Sequence, residues 1–482
     1  MTMDAQYSDS PRTPNPRRRQ RSKLQIFKEA YLPTIILAIT IVLIIVFIIG
    51  AAVSGSDPKG TEPPATDSTP APSTTASSEP TASTTPIQLQ WEADERLAQA
   101  QALALNYDYD GALAVIDAFS GDMQQYPELA AAYASYSSIK ENMVSWNAAD
   151  VVNLSFHLLI ADPERAYVDK EYGSQYKRNF VTVTEFSAII QQLYDNGYVL
   201  VSLEDFYSQE YNTSSGRYVF KENPLLLPEG KTPIMLTETN VNYYTYMTDS
   251  NGDGKPDANA DGFACRLCHD ENGFYNELVN ADGSISTGSY DMVPLLEDFI
   301  AENPDFSYRG ARAIIAFSGY DGVLGYRINS TKLGADALQA EREGAAAIVD
   351  ALKLAGYDLA CYSYNNTSYG SDKNASRVQS DIQLWLDEIT PWIGSLDILV
   401  FAQNSDIAGT ESYSGNSKFN VLYNAGFQYF IGVGTGAWNQ VDDQYVRHNR
   451  MYVSGYYLLN YPDLFAGMFD VPSILELDIP RN

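Results

Sequence analysis

The chemistry-bearing residues of this chain collect at the end of one short apolar run. Pro233, Ile234, Met235, Leu236 and Thr237 read as a buried strand, and Glu238, Thr239, Asn240 and Asn242 follow at its carboxyl end. That set offers one carboxylate that could take a proton, and amides and hydroxyls that could hydrogen-bond a polar ligand. Histidine occurs only at His157, His269 and His448, and cysteine only at Cys265, Cys268 and Cys361. Cys265-Arg266-Leu267-Cys268-His269 spells the haem-attachment pattern C-x-x-C-H. It runs into a turn at Asp270–Gly273, so it reads as one arm of a hairpin, where residues three apart face opposite ways; no haem is expected there. Asp249, Asn251, Asp253 and Gly254, followed by Asp257 and Asp261, fit D-x-[DN]-x-[DN]-G, in which alternating oxygens face one hard cation. The twelfth loop position is Ala260 rather than a bidentate Glu. A calcium loop of the extracellular repeat type and a polar Asp/Gly-rich insertion are the two readings of that stretch. Tyrosine is abundant, 35 residues; Tyr243, Tyr244, Tyr246, Tyr320 and Tyr362 fall near expected strand ends, where rings can stack on sugars or simply pack with the hydroxyl at the surface. His157, at another strand end, either lines a pocket or caps the core.

These residues need a rigid frame, and from Val151 onward short apolar runs alternate with amphipathic helices. Strands are expected over 151–157, 198–203, 233–238, 311–317, 357–362, 396–401 and 427–433. Helices are expected between them: after the Thr182/Glu185 capping box, at 292–300, 335–354, 378–393 and 419–425. Alternation repeated this often predicts a parallel α/β sheet or barrel, whose ligands gather at the carboxyl ends of the strands. No glycine-rich phosphate loop follows any strand.

The rest of the chain is organised by composition. Residues 1–30 form a basic, disordered tail. Residues 31–53 carry no charge and are long enough to span a hydrocarbon core of roughly 30 Å, so a single uncleaved transmembrane helix is expected with the tail in the cytoplasm. Residues 54–87 are a Ser/Thr/Pro stalk, and 88–146 carry helical periodicity like one tetratricopeptide-like unit, a spacer packed on the next domain or a site for a protein partner. The net charge of −30 argues against nucleic acid as a partner.

Residues 150–482 resemble the polysaccharide deacetylase (NodB-homology) family, in a membrane-anchored extracellular branch. The resemblance rests on Phe156–Ile160, the 233–238 strand with Val241–Met247, Gly262–Ala264, Gly288–Asp291 with Val293–Leu296, Gly319–Arg327 and Phe469–Val471. It implies a distorted (β/α) barrel and metal-dependent deacetylation, with an Asp-Asp pair and a His-x-x-x-His pair around the metal. In this sequence the Asp-Asp positions fall on Thr239 and Asn240, and the His-x-x-x-His positions on Tyr362 and Asn366. A later framing motif falls at Ala402, Gln403 and Asn404. Neutral amides and hydroxyls hold zinc poorly and are not bases near neutral pH, so no zinc is expected. Side chains alternate along a strand, so Glu238 should face away from Thr239. The expectation is therefore a catalytically silent barrel at the cell surface that binds cell-envelope polysaccharide through His157, Tyr243, Tyr320, Tyr362 and Gln403. The alternatives are an active metal-dependent deacetylase and a protein-binding scaffold.

Overall fold

The computed structural model describes residues 85–169, 171–247, 262–371, 374–475 and 481. The expected tail, the span 31–53, the stalk as far as residue 84 and the loop from Asp249 to Asp261 lie outside the described residues. Among those described, no helix is long and apolar enough to cross a membrane.

Seven strands carry the domain: β1 Val152–His157, β2 Thr232–Thr239, β3 Ile314–Phe317, β4 Asp358–Cys361, β5 Ile398–Val400, β6 Tyr429–Val433 and β7 Val446–Tyr452. Each pairs in parallel with the next, and β7 pairs in parallel with β1, so the sheet closes into a barrel in chain order. The register sets His157 and Ala316 beside Thr239, and Tyr452 beside Ser155.

Alternation along the strands divides the core in two. Leu154, Phe156, Leu236, Phe317, Leu359, Phe401 and Phe430 point outward and join the shell under the helices. Met235, Ile314, Ala316, Ala360, Tyr362, Ile398, Val400 and Ile431 form the second cluster, inside the barrel. The shell is made by amphipathic helices such as Val183–Asp195, which starts on the Thr182/Glu185 capping box and buries Phe186, Ile189, Ile190 and Leu193. The long helix Ala335–Ala355 stops at Gly356, whose φ of 97° disfavours any side chain and whose added Cβ would lie 2.5 Å from Gly310 O.

Two differences from the expected elements matter. The strand expected over 198–203 is only Tyr198–Leu200; it flanks the start of β2 and is not a barrel stave. The stave that closes the barrel, β7, has the sequence VRHNRMY and was not expected, because polar and charged residues on both faces hide its periodicity.

Three helices precede the barrel, Pro86–Leu105, Tyr109–Asp117 and Pro127–Glu141, the first already beginning two residues inside the expected stalk on a Thr85/Gln88 capping box. Their own core is small: Ala93, Ala100, Ala112, Ile116, Phe119 and Leu129. They are completed by the barrel. Tyr107 donates to Asp305 O at 2.5 Å and stacks on Tyr308 at 5.9 Å, and Tyr107 and Tyr109 enter the same buried cluster as Val199, Met235 and Ile314. The helical unit is thus a cap on the amino end of the barrel.

Candidate functional site

At the carboxyl end of the barrel the backbone is held in unusual conformations. Of the ten non-glycine residues with positive φ among those described, eight follow barrel strands: Asn240 and Tyr243 after β2, Asp321 and Leu324 after β3, Ser363 and Asn366 after β4, Gln403 and Asn404 after β5. Such residues persist only where neighbours over-determine them, and here buried side chains do so. Asn242 Nδ2 donates to Ser318 O at 2.8 Å and Gly322 O at 2.7 Å, while its Oδ1 accepts from Ser318 N at 2.8 Å, tying the β2 and β3 loops together. Arg327 Nη1 donates to Asp321 O at 2.6 Å. Asp381 accepts from Tyr364 N at 2.7 Å, Thr367 Oγ1 at 2.7 Å and Tyr369 OH at 2.8 Å, fixing the β4 loop.

Inside this rim, the inward-facing residues of β1, β2, β4 and β7 make one polar cluster. His157 Nδ1 lies 2.9 Å from Thr239 Oγ1, and Thr239 Oγ1 also donates to Phe156 O at 3.0 Å. The His157 ring packs between Phe180 and Tyr452, at 5.4 and 5.2 Å. Burial pushes this imidazole down to about 4, with a further push from the Arg450 cation, so it is neutral at physiological pH. Arg450 is fully buried; Nη1 donates to Ile431 O at 3.0 Å and Gly432 O at 3.2 Å, Nη2 to Phe401 O at 2.9 Å and Tyr452 OH at 3.2 Å. The Tyr362 and Thr239 hydroxyls lie beside the Tyr452 oxygen. Burial holds Tyr362 well above the usual phenol range, whereas the Arg450 charge and these contacts bring Tyr452 below it despite its own burial.

Of the residues expected in the site, His157, Thr239 and Tyr362 meet in this cluster. Asn240 is at the rim, its Oδ1 accepting from Tyr244 OH at 2.5 Å. Asn366 and Gln403 adjoin there, with Gln403 Nε2 donating to Asn366 O at 2.9 Å, and Asn366 Oδ1 is buried without a partner. Tyr320 is 56 % exposed and Tyr246 is 45 % exposed. Both are linked through Tyr244, at 6.0 and 5.7 Å, and Tyr246 meets Tyr172 at 5.3 Å, so tyrosines from the β1, β2 and β3 loops form a continuous aromatic edge.

Tyr243 does not belong to the mouth. Its φ of 49° turns it outward, where it is 1 % exposed and accepts from Asn276 Nδ2 at 3.1 Å. Glu238 is likewise on the outer face of β2, against Asp291, and cannot serve the inner cluster. Cys265 and His269 lie on the first arm of a hairpin, Ala264–Asp270 with Gly273–Val279; Cys265 Sγ meets Glu277 O at 3.4 Å and His269 packs on Phe274.

Arg450 and Tyr452 are the site residues that sequence reasoning missed, because the strand carrying them was missed. They also bear on a metal, which the family resemblance implies. The inner cluster supplies one imidazole and several hydroxyls, a guanidinium stands among them, and none of the hydrogen bonds among them reaches a carboxylate. Among the described residues no three His, Cys, Asp or Glu side chains converge to hold an ion. A fixed cation in the cluster repels a divalent one, and no carboxylate or thiolate among these residues offsets it, so these residues do not fit the metal centre.

A cavity of about 600 Å³ opens at the opposite, amino end, lined by Glu204, Asp205, Asp358 and Asp397 with Arg309 and Lys353 among others. Burial and the neighbouring acids push Asp358 up to about 7. In parallel barrels that end serves stability, and the rim formed by the strand carboxyl ends carries function, so the mouth is the better candidate.

No protein-family model matches the chain, and no curated protein is significantly similar to it. Among solved structures it is similar to the Streptococcus pyogenes deacetylase PplD in complex with acetate, at 10 % identity and a TM-score of 0.30, over 66 % of this chain and 98 % of that one. An overlap so slight says nothing of residues or chemistry, and the barrel stands on its strand pairing.

Proposed function

We propose that this is a cell-surface polysaccharide deacetylase-like protein whose barrel binds a cell-envelope polysaccharide at its carboxyl-end mouth without hydrolysing it through a metal. The observation that carries the reading is the aromatic edge of Tyr246 and Tyr320, exposed beside a rim of amides at Asn240, Asn366 and Gln403. Flat rings pack on the apolar faces of sugars, and amides bond their hydroxyls. The charge pattern of residues 1–53 supports display outside the membrane on a single anchor, with the helical unit as a cap that could also meet a protein partner.

Tyr246→Ala and Tyr320→Ala are each expected to weaken cosedimentation with purified envelope polysaccharide about 3- to 10-fold, on the order of 1 kcal/mol per lost ring contact. Both rings are exposed, so the melting temperature should not move. Unchanged binding by the double variant would remove the mouth from the reading, and stoichiometric tightly held zinc with acetate release would restore the metal-dependent enzyme. For Asp249–Asp261, calorimetry should give heat on adding millimolar calcium to the full chain; no heat identifies a plain insertion loop.

A further inference from the structure

Arg450 presents an electrostatic problem that the glycan reading does not use. A guanidinium cannot shed its proton, and a buried charge needs a partner of opposite sign. Arg450 is 0 % exposed, yet among the described residues no carboxylate forms an ion pair with it. Three of its bonds go to backbone carbonyls, its Nε has no partner, and the remaining one goes to Tyr452 OH. Two groups around that oxygen can donate to it. Arg450 Nη2 lies at 3.2 Å, and Tyr362 OH itself accepts from the Gln403 backbone, which leaves its own proton free to point at Tyr452; the Thr239 proton is held by Phe156 O. His157, whose ring faces Tyr452 at 5.2 Å, is neutral and supplies no negative charge.

We propose that Tyr452 is a phenolate, the counter-ion of Arg450, and that this oxygen is a proton-accepting group at the floor of the mouth for a hydroxyl-bearing ligand. The pair is internal to strand β7, two residues apart on one face. The pair itself does not depend on the polysaccharide reading; only the class of ligand does. Direction of ionisation agrees, since Tyr452 is shifted down while its neighbour Tyr362 is shifted up. Tyrosine is a competent general base once ionised, so the site would accept a proton with no metal present.

The test is the ultraviolet difference spectrum of the full chain, wild type minus Tyr452→Phe, titrated with pH in the absence of ligand. The expected result is one tyrosinate band already present at neutral pH and lost on acidification, and its loss from neutral samples of Arg450→Gln. A difference spectrum that stays that of neutral tyrosine until the bulk of the tyrosines ionise overturns the proposal. So does a neutral-pH band that survives in Arg450→Gln. Should either variant fail to fold, fluorotyrosine placed at position 452 of the otherwise unchanged chain reports the same ionisation by its fluorine shift. A single titration in the alkaline range there would be equally fatal. None of these outcomes touches polysaccharide binding, so the two readings fail separately.

Discussion

Arg481→Ala is expected to destabilise the domain by ~3–5 kcal/mol in denaturant unfolding, the range found when one partner of a buried ion pair is removed. Glu185 is 0 % exposed and closes the capping box of the helix Val183–Asp195 by accepting from Thr182 N at 2.8 Å. Arg481 covers its carboxylate, with Nε 3.1 Å from Oε1 and Nη2 on Oε2. The same guanidinium donates from Nη1 to Lys177 O at 2.7 Å and Phe180 O at 2.9 Å. Truncation therefore strands one buried carboxylate and two carbonyls at once. The helix involved packs on the barrel through Phe186 against Phe156 at 5.2 Å, so the loss reaches the wall of β1. Arg481→Lys should recover only part of it, because an ammonium cannot serve three acceptors in a fork. A change below ~1 kcal/mol for Arg481→Ala would mean that the pair is solvated in solution.

How much of this was legible in the sequence depended on which face each residue type occupied. Staves β1 to β6 were readable because their outward residues, Leu154, Phe156, Leu236, Phe317 and Phe430 among them, make an apolar run under helices. Capping signals located the helices for the same reason: Thr182 and Glu185 act locally, and local rules survive folding. The placement of Thr239 and Asn240 followed from knowing where β2 ends. Strand β7 inverts the rule. Its inner residues His448, Arg450 and Tyr452 carry polar groups into the barrel, and its outer Arg447 is buried at 1 % exposure against Asp406 at 3.1 Å and beneath the ring of Tyr413 at 4.1 Å. Burial by paired polar groups leaves no hydrophobic period to find; the flanking turn at Asp442–Gln444 was the remaining signal. Tyr243 failed for another reason. Two left-handed residues, Asn240 and Tyr243, swing the chain outward after β2, and neither is a glycine that would have warned of it. Changing Tyr243 or Tyr362 to Ala, which the sequence alone suggests as a test of binding, would instead open the core, since both are almost wholly buried.

Glu238→Gln should stabilise the protein increasingly as pH rises. On the outer face of β2, Glu238 meets Asp291 in a site where both are buried. As two carboxylates they would leave Glu238 Oε1, Glu238 Oε2 and Asp291 Oδ2 without donors. One shared proton resolves the conflict. Asp291 has the better claim to the charge, with Leu159 N donating to Oδ1 at 2.9 Å and the Tyr243 hydroxyl on the same carboxylate. Burial first, and then the Asp291 charge, hold Glu238 well above the ordinary carboxyl range, and it keeps the proton. The sign follows. An acid whose folded pKa is raised binds a proton that the unfolded chain releases, so its contribution is intact below the unfolded value and is lost as pH rises through and beyond that value. The loss runs at about 1.4 kcal/mol per pH unit while the folded chain retains the proton. Glutamine carries its hydrogens at every pH and can donate to Asp291 in the same place. The difference in unfolding free energy between Glu238→Gln and wild type should therefore be small near pH 4 and grow through neutrality. Asp291→Asn should do less well, since it exchanges the acceptor of Leu159 N and Tyr243 OH for a group with one acceptor oxygen fewer. A pH-independent difference for Glu238→Gln would show that the two acids do not share a proton.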